Sequence, residues 1–172
     1  DLDGTRASAA AAVDEVLRME RPEEGVEDLK DALLLKANVA LQAGLDDEAR
    51  TSLVLVARLD PDLAALNAGL YPPSLVEAFA AARAWSAAAP AATLSVQPRV
   101  AGFEPAEVQI DGRPPSPSPL RAGPHLVSVH APGDVSASRI IVLDDKAPAV
   151  FAPFLAPVDA PSRRATLARA AA

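Results

Sequence analysis

The distribution of proline constrains this chain more than any other feature of its sequence. Four of the 17 prolines lie in residues 1–89 and thirteen in residues 90–172. Proline lacks a backbone N–H and clashes with the preceding helical turn, so long helices are confined to the first segment. The second segment has short β-branched runs separated by Pro and Gly, which is typical of strands and turns. The sequence therefore predicts two structural units that meet within residues 87–92.

Composition narrows the classes of protein that the chain can belong to. Its 172 residues contain no Cys, which excludes thiolate metal clusters, thiol nucleophiles and disulfides. The formal net charge is -7, whereas a nucleic-acid-binding protein normally carries a basic excess. The acidity is concentrated in residues 1–89, which hold 16 acids and 8 bases, against 7 acids and 8 bases in the remainder. We therefore expect no nucleic-acid partner.

Helical periodicity predicts two helices in the first part of the chain. The first begins at a cap formed by Thr5 or Ser8 and ends near Met19. The second covers residues 26–43, with acidic residues at its start and a C-terminal cap at Gly44.

Two further helices complete the predicted helical unit. The third covers residues 46–59 and ends before Pro61, because proline disfavours helix in the residue before it. The fourth begins after residues 71–73, with Ser74 as its cap. Only two or three residues join the second and third helices, so the two pack as an antiparallel hairpin.

This hairpin resembles one tetratricopeptide repeat. If Lys30 is the first position of a 34-residue unit, small residues occupy its eighth and twentieth positions, at Ala37 and Ala49. A bulky residue, Leu53, is at position twenty-four, and Pro61 is at position thirty-two. Since a single repeat cannot bury its own faces, we expect the flanking helices to complete the stack.

The resemblance implies a contact surface for a protein partner. Positions on the first helix of such a hairpin face a concave groove, and here they are occupied by Leu34, Asn38, Leu41 and Gln42. The first helix of the chain, residues 5–19, would be an alternative cover for the same stripe.

The second part of the chain predicts four strands, at residues 93–97, 107–111, 125–130 and 138–143. Asp111-Gly112 and Pro132-Gly133 are turn sequences that follow the second and third strands. Between them the proline-rich residues 114–119 have P-x-x-P spacing and are interpreted as an extended loop.

Residues 91–145 resemble the PEGA domain. That family's strands read V-x-V-D-G, then a Pro and a hydrophobic residue, then G-x-H-x-V-x-V, and the matching segments here are residues 106–112 and 119–129. The spacing through Gly123 and His125 is the specific part of the match. The resemblance implies a small β-sandwich-like module, found mainly in bacterial envelope and surface proteins, without catalytic residues of its own.

We therefore predict an α+β chain with a tetratricopeptide-like helical hairpin domain followed by a small antiparallel β-sandwich of the PEGA type. The domains are residues 1–89 and 90–145, and residues 146–172 form a proline-rich linker or tail.

No motif in the sequence predicts catalytic, cofactor or metal-binding residues. Successive side chains of a strand alternate, so His125 and His130 face opposite sides and do not chelate one ion. We interpret His125 as a half-buried residue whose ring hydrogen-bonds a turn. An enzyme would need a site at the junction of the two units, around Tyr71, Arg83 and Trp85.

The function expected from the two resemblances is a non-enzymatic scaffold or adaptor for protein–protein association at the bacterial cell envelope, in the periplasm. Its partner is then an envelope protein, and any membrane association depends on a segment outside this chain. The start at Asp1 without Met suggests a processed product. The alternative is a glycan- or peptidoglycan-binding module with the helices as a spacer.

Overall fold

Helices and strands occupy separate parts of the chain. The computed structural model describes residues 2–18, 25–100, 106–131 and 135–155. The helices are α1 (Leu2–Leu17), α2 (Val26–Gln42), α3 (Asp46–Leu59) and α4 (Pro73–Ala88). The strands are β1 (Ala91–Ala92), β2 (Leu94–Val96), β3 (Arg99–Val100), β4 (Glu107–Ile110), β5 (Leu120–Arg121), β6 (Gly123–Ala131), β7 (Val135–Leu143), β8 (Ala149–Phe151) and β9 (Phe154–Leu155). This arrangement confirms the α+β class and places the change from helix to strand within residues 89–90.

The α2–α3 hairpin forms as the sequence predicts. Gly44 has a φ of 71°, a conformation that glycine adopts without steric cost. The backbone N–H of Leu45 then donates to the carbonyl of Ala40 at 2.9 Å and closes the end of α2. The bounds of α3 agree with the prediction, and α2 ends one residue early.

Small residues let α2 and α3 approach closely. Ala37 and Ala49 are buried, and Leu53 is buried beside them. At the open end of the hairpin the Nζ atom of Lys30 lies 2.8 Å from Oδ2 of Asp60. The hairpin is thus held by apolar packing along its length and by an ion pair at its end.

The predicted cap of α4 is wrong. Pro72 is the N-cap and Pro73 the first helical residue, and no side chain caps this end. Proline suits that position because its fixed φ fits the helix and its missing N–H would have had no partner there.

The predicted start of α1 is also wrong. The helix begins at Leu2, and the hydroxyl of Ser8 donates to the carbonyl of Gly4 inside it, at 3.0 Å. Serine can satisfy its hydroxyl in this way within a helix as well as at a cap. The predicted end at Met19 falls outside the described residues.

The largest sheet has three antiparallel strands in the order β4-β6-β7. Val108 is paired with Val129 between β4 and β6, and Leu126 with Ile140 between β6 and β7. Strands β1 and β5 form an antiparallel pair, whereas β2–β8 and β3–β9 are parallel pairs. The antiparallel pairing of the main sheet agrees with the prediction, whereas the two parallel pairs were not predicted; they form because residues 149–155 run beside β2 and β3 in the same direction.

Part of the predicted linker belongs to the fold. Strands β8 and β9 lie within residues 149–155, where we expected a proline-rich tail, and Phe151 and Leu155 are buried. Proline is compatible with the start of a strand and with sheet edges, and Pro148 and Pro153 immediately precede the two strands. The prolines thus exclude a helix without excluding strands. The remainder of the predicted tail, from residue 156, lies outside the described residues.

Strand β6 connects the helices to the rest of the sheet. Leu126 is buried within the hydrophobic core of the helices. Val127 and Val129 are buried in a second cluster together with Phe151 and Leu155. Because alternate residues of a strand face opposite sides, β6 covers the helical core with one face and the strand core with the other.

Candidate functional site

The side chain of Arg58, at the end of α3, joins the helices to the strands. Its Nη2 donates to the carbonyl of Ala122 at 2.6 Å and its Nη1 to that of Pro124 at 2.7 Å. Its Nε donates to the hydroxyl of Ser86 on α4 at 3.2 Å. Burial lowers the pKa of this guanidinium, and the carboxylate of Asp111 opposes that shift. Arginine suits this position because its five N–H donors form a rigid planar array.

His125 lies next to Arg58 and is buried. Its Nδ1 is 2.7 Å from Oδ2 of Asp111, whose Oδ1 accepts from the backbone N–H of Leu126 at 2.9 Å. Its Nε2 faces Nη1 of Arg58 at 2.6 Å and the carbonyl of Arg121 at 2.7 Å. The predicted hydrogen bond from His125 to a turn is present, but the residue is fully buried rather than half-buried.

Trp85 of α4 packs against a position in β6 that has no side chain. A Cβ atom at Gly123 would lie 2.9 Å from Cζ3 of Trp85 and 3.2 Å from Nη2 of Arg58. Gly123 also has a φ of 112°, which L side chains rarely adopt. Two helices therefore meet β6 at a residue where only glycine fits.

A cleft of about 500 Å³ opens beside this junction. Four arginines line it, together with Asp111 and His125; they are Arg58, Arg83, Arg113 and Arg121. Ile110 and Leu120 contribute apolar wall. The cleft is rich in positive charge although the chain as a whole is acidic.

A second groove, of about 340 Å³, lies between the α2–α3 hairpin and α4. Its walls are mostly apolar and include Leu41, Ala81 and Trp85, whose exposed fraction is 41%. Asp46 and Arg50 lie at the groove as its polar residues.

The four residues predicted to contact a partner do not form one exposed stripe. Leu34 is buried in the helical core with an exposed fraction of 6%, and Leu41 packs partly against that core. Asn38 is half-buried and Gln42 is exposed. Among the four, Leu41 is in the lining of the apolar groove, and a contact role for the set stays a prediction.

The three residues considered for an enzymatic site at the junction lie in three different places in the structure. Arg83 lines the cationic cleft, Trp85 lines the apolar groove, and Tyr71 packs against the helical core. The proline-rich residues 114–119 lie partly along the cleft. Across the described ranges, no group of three or more His, Asp or Glu residues is arranged to hold a metal ion.

Sequence reasoning missed the role of Arg58. The two carbonyls that it bonds lie more than sixty residues further along the chain, and Ser86 lies 28 residues further, so no local pattern marks it. The G-x-H spacing did mark Gly123 and His125, and Asp111-Gly112 marked the turn that His125 bonds. Arg58 lies in the last turn of α3, where a basic residue is ordinarily explained by its favourable interaction with the helix dipole. Its position in the sequence therefore gives no indication that it bonds the strands.

The chain matches no model of a known protein family, no curated protein and no solved structure. Within the described ranges, none of the helices combines the length and the apolarity that crossing a bilayer requires.

Proposed function

We propose that this chain is a non-enzymatic scaffold that mediates protein–protein association at the bacterial cell envelope. In this proposal α1–α4 form a tetratricopeptide-like unit and the strands a PEGA-like unit. The class of protein and the periplasmic compartment are proposed from the two sequence resemblances. The proposed contact surface is the apolar groove between α2, α3 and α4.

The groove carries the proposal because it leaves an aromatic side chain accessible within an apolar depression on the helices. Trp85 is 41% exposed there. Ala78, Ala81 and Ala82 of α4 line the groove with small side chains, together with Leu41 of α2. Aromatic residues in apolar depressions are typical energetic centres of protein interfaces.

Charge indicates the chemistry of the partner. The first turn of α3 contains Asp46, Asp47 and Glu48, of which Asp46 lines the groove. Arg50 pairs with Asp47 at 2.6 Å, and residues 1–89 carry twice as many acids as bases. We therefore assign to the groove a basic segment of a partner protein that inserts one apolar side chain, since complementary charge raises the association rate and excludes acidic competitors.

Selection from a random peptide library displayed on phage tests this function. The full chain is the bait, and the expected winners carry Lys or Arg on both sides of a Leu, Phe or Trp. Ala81→Arg places a positive charge in the groove and should weaken binding of the selected peptides by about tenfold or more. Ala80→Arg is the matched control, because Ala80 is exposed on the same helix and is not in the groove lining.

Enrichment of acidic peptides, or of none, would refute the proposal. So would equal binding of the selected peptides to both variants. Fractionation of cells that produce the intact gene product tests the compartment, and recovery in the cytoplasm would contradict the envelope assignment.

A further inference from the structure

The positive charge of the cationic cleft exceeds its negative charge because, among the described residues, four arginines line it with a single carboxylate. The four arginines are Arg58, Arg83, Arg113 and Arg121. Within the part of the chain that the structure describes, none of them forms a salt bridge with a carboxylate. Asp111 is the acidic residue in the lining. Both of its oxygens are already engaged, by His125 and by the backbone of Leu126.

Most guanidinium donors in the cleft remain available. Arg83 donates from Nη1 to the carbonyl of Leu63, and Arg121 donates from Nη1 to the carbonyl of Ala89 at 2.9 Å. No side-chain hydrogen bond of Arg113 is formed within the described part of the chain, and this residue is exposed. Each guanidinium has five N–H groups, so Arg83, Arg113 and Arg121 keep donors that can point at a ligand.

The guanidinium of Arg58 is held in one position in the cleft by its hydrogen bonds. Its donors are directed at two carbonyls, the Ser86 hydroxyl and His125. This bonding holds its positive charge in place, and the neighbouring apolar residues Ile110 and Leu120 reduce solvent screening there. A fixed charge beside arginines that keep unused donors is the arrangement expected of an anion site rather than of a solvated surface.

We propose that this cleft binds the phosphate group of a small organic phosphate. Guanidinium groups match phosphate oxygens with paired N–H donors. A phosphate monoester carries a charge of about -1.5 to -2 at neutral pH, which fits four arginines and one aspartate better than a single carboxylate does. Ile110 and Leu120 provide apolar wall for the organic part of the ligand.

This binding site is distinct from the apolar groove and from the proposed association with a protein. The two cavities share no lining residue. Failure of one proposal therefore leaves the other untouched, and Ala81→Arg should not change phosphate binding.

Titration calorimetry of the full chain with four probes tests the site. The probes are phenyl phosphate, inorganic phosphate, benzoate and benzyl alcohol. We expect phenyl phosphate to bind most tightly, benzoate to bind about tenfold more weakly, and benzyl alcohol to give no signal. Equal affinity for benzoate, equal affinity for inorganic phosphate, or no binding of phenyl phosphate at millimolar concentration would each overturn the proposal.

Substitution locates the binding to the cleft. Arg113→Ala should weaken phenyl phosphate by about tenfold, because a charge-assisted hydrogen bond is lost. It should leave stability unchanged, since Arg113 is exposed. Arg139→Ala removes an exposed arginine from β7, outside the cleft lining, and should leave the affinity unchanged. Equal losses of affinity in both variants would show nonspecific attraction and would refute the site.

Discussion

The indole of Trp85 lies directly against the α-carbon of Gly123, so that a Cβ atom at this position would come within 2.9 Å of the ring. Arg58 reaches the same residue from α3, and its guanidinium donates to the carbonyls on either side of Gly123. Steric fit and hydrogen bonding therefore converge on one residue of β6. This contact joins the helices to the strands, together with the packing of Leu126 of β6 in the helical core.

Gly123→Ala should destabilise the chain by about 3 kcal/mol, because strained backbone and overpacking against Trp85 add together. Urea unfolding followed by fluorescence of Trp85, the one tryptophan of the chain, measures the effect. Gly44→Ala is the matched control, since Gly44 has a φ of 71° and nothing within 4 Å of its added Cβ. It should cost only about 1 kcal/mol. Equal losses in the two variants would contradict the close packing of Trp85.

Arg58→Met should lower the free energy of unfolding by about 2–4 kcal/mol, because several hydrogen bonds from a charged donor are lost together. Methionine keeps apolar volume but donates to neither Ala122 nor Pro124. Near-ultraviolet circular dichroism of Trp85 should also change, since the junction loses its orientation. Arg50→Met is the control, because Arg50 is exposed and its pairing with Asp47 is worth well under about 1 kcal/mol. Similar losses in both would show that Arg58 is an ordinary surface residue.

The ion pair between Lys30 and Asp60 predicts a dependence of stability on pH at both ends of the scale. The side chains are 12% and 30% exposed. Burial lowers the pKa of Lys30, but hydrogen bonds to Asp60 and Glu27 outweigh it and raise the pKa above 10.5. The hydrogen bond from Lys30 lowers the pKa of Asp60 below 3.8, against the opposing effect of burial.

The contribution of Asp60 is therefore present above pH 3.8 and is lost as the pH falls through its lower folded value. That of Lys30 is present below pH 10.5 and is lost as the pH rises through its higher folded value. Asp60→Asn should cost about 1 kcal/mol at neutral pH and flatten the loss of stability in acid. In a Lys30→Met background the same change should cost much less. If the losses in the free energy of unfolding, measured in urea, were additive in the double variant, the two side chains would not stabilise each other.

Local patterns account for the helices and the central sheet, and they fail where distant residues meet. The bounds of α3 follow from its periodicity and from Pro61, and β6 is predicted from its short β-branched run between turn residues. Arg58 has no such local signal, because its function depends on carbonyls of a strand that the chain reaches more than sixty residues later. Leu34 illustrates the opposite error: a residue assigned to an exposed groove is buried by tertiary packing.

Strands β8 and β9 allow a direct test of whether residues 149–155 belong to the folded core. Phe151 of β8 is 9% exposed and packs with Val127 and Val129, whereas Phe154 is 69% exposed three residues later. Phe151→Ala should therefore lower the free energy of unfolding by about 3 kcal/mol, as expected for truncation of a buried aromatic side chain. Phe154→Ala should change it by less than about 0.5 kcal/mol. Both values come from urea unfolding of the full chain. If the two variants were equally stable, residues 149–155 would be a linker as the sequence suggested, and β8 would not be part of the folded core.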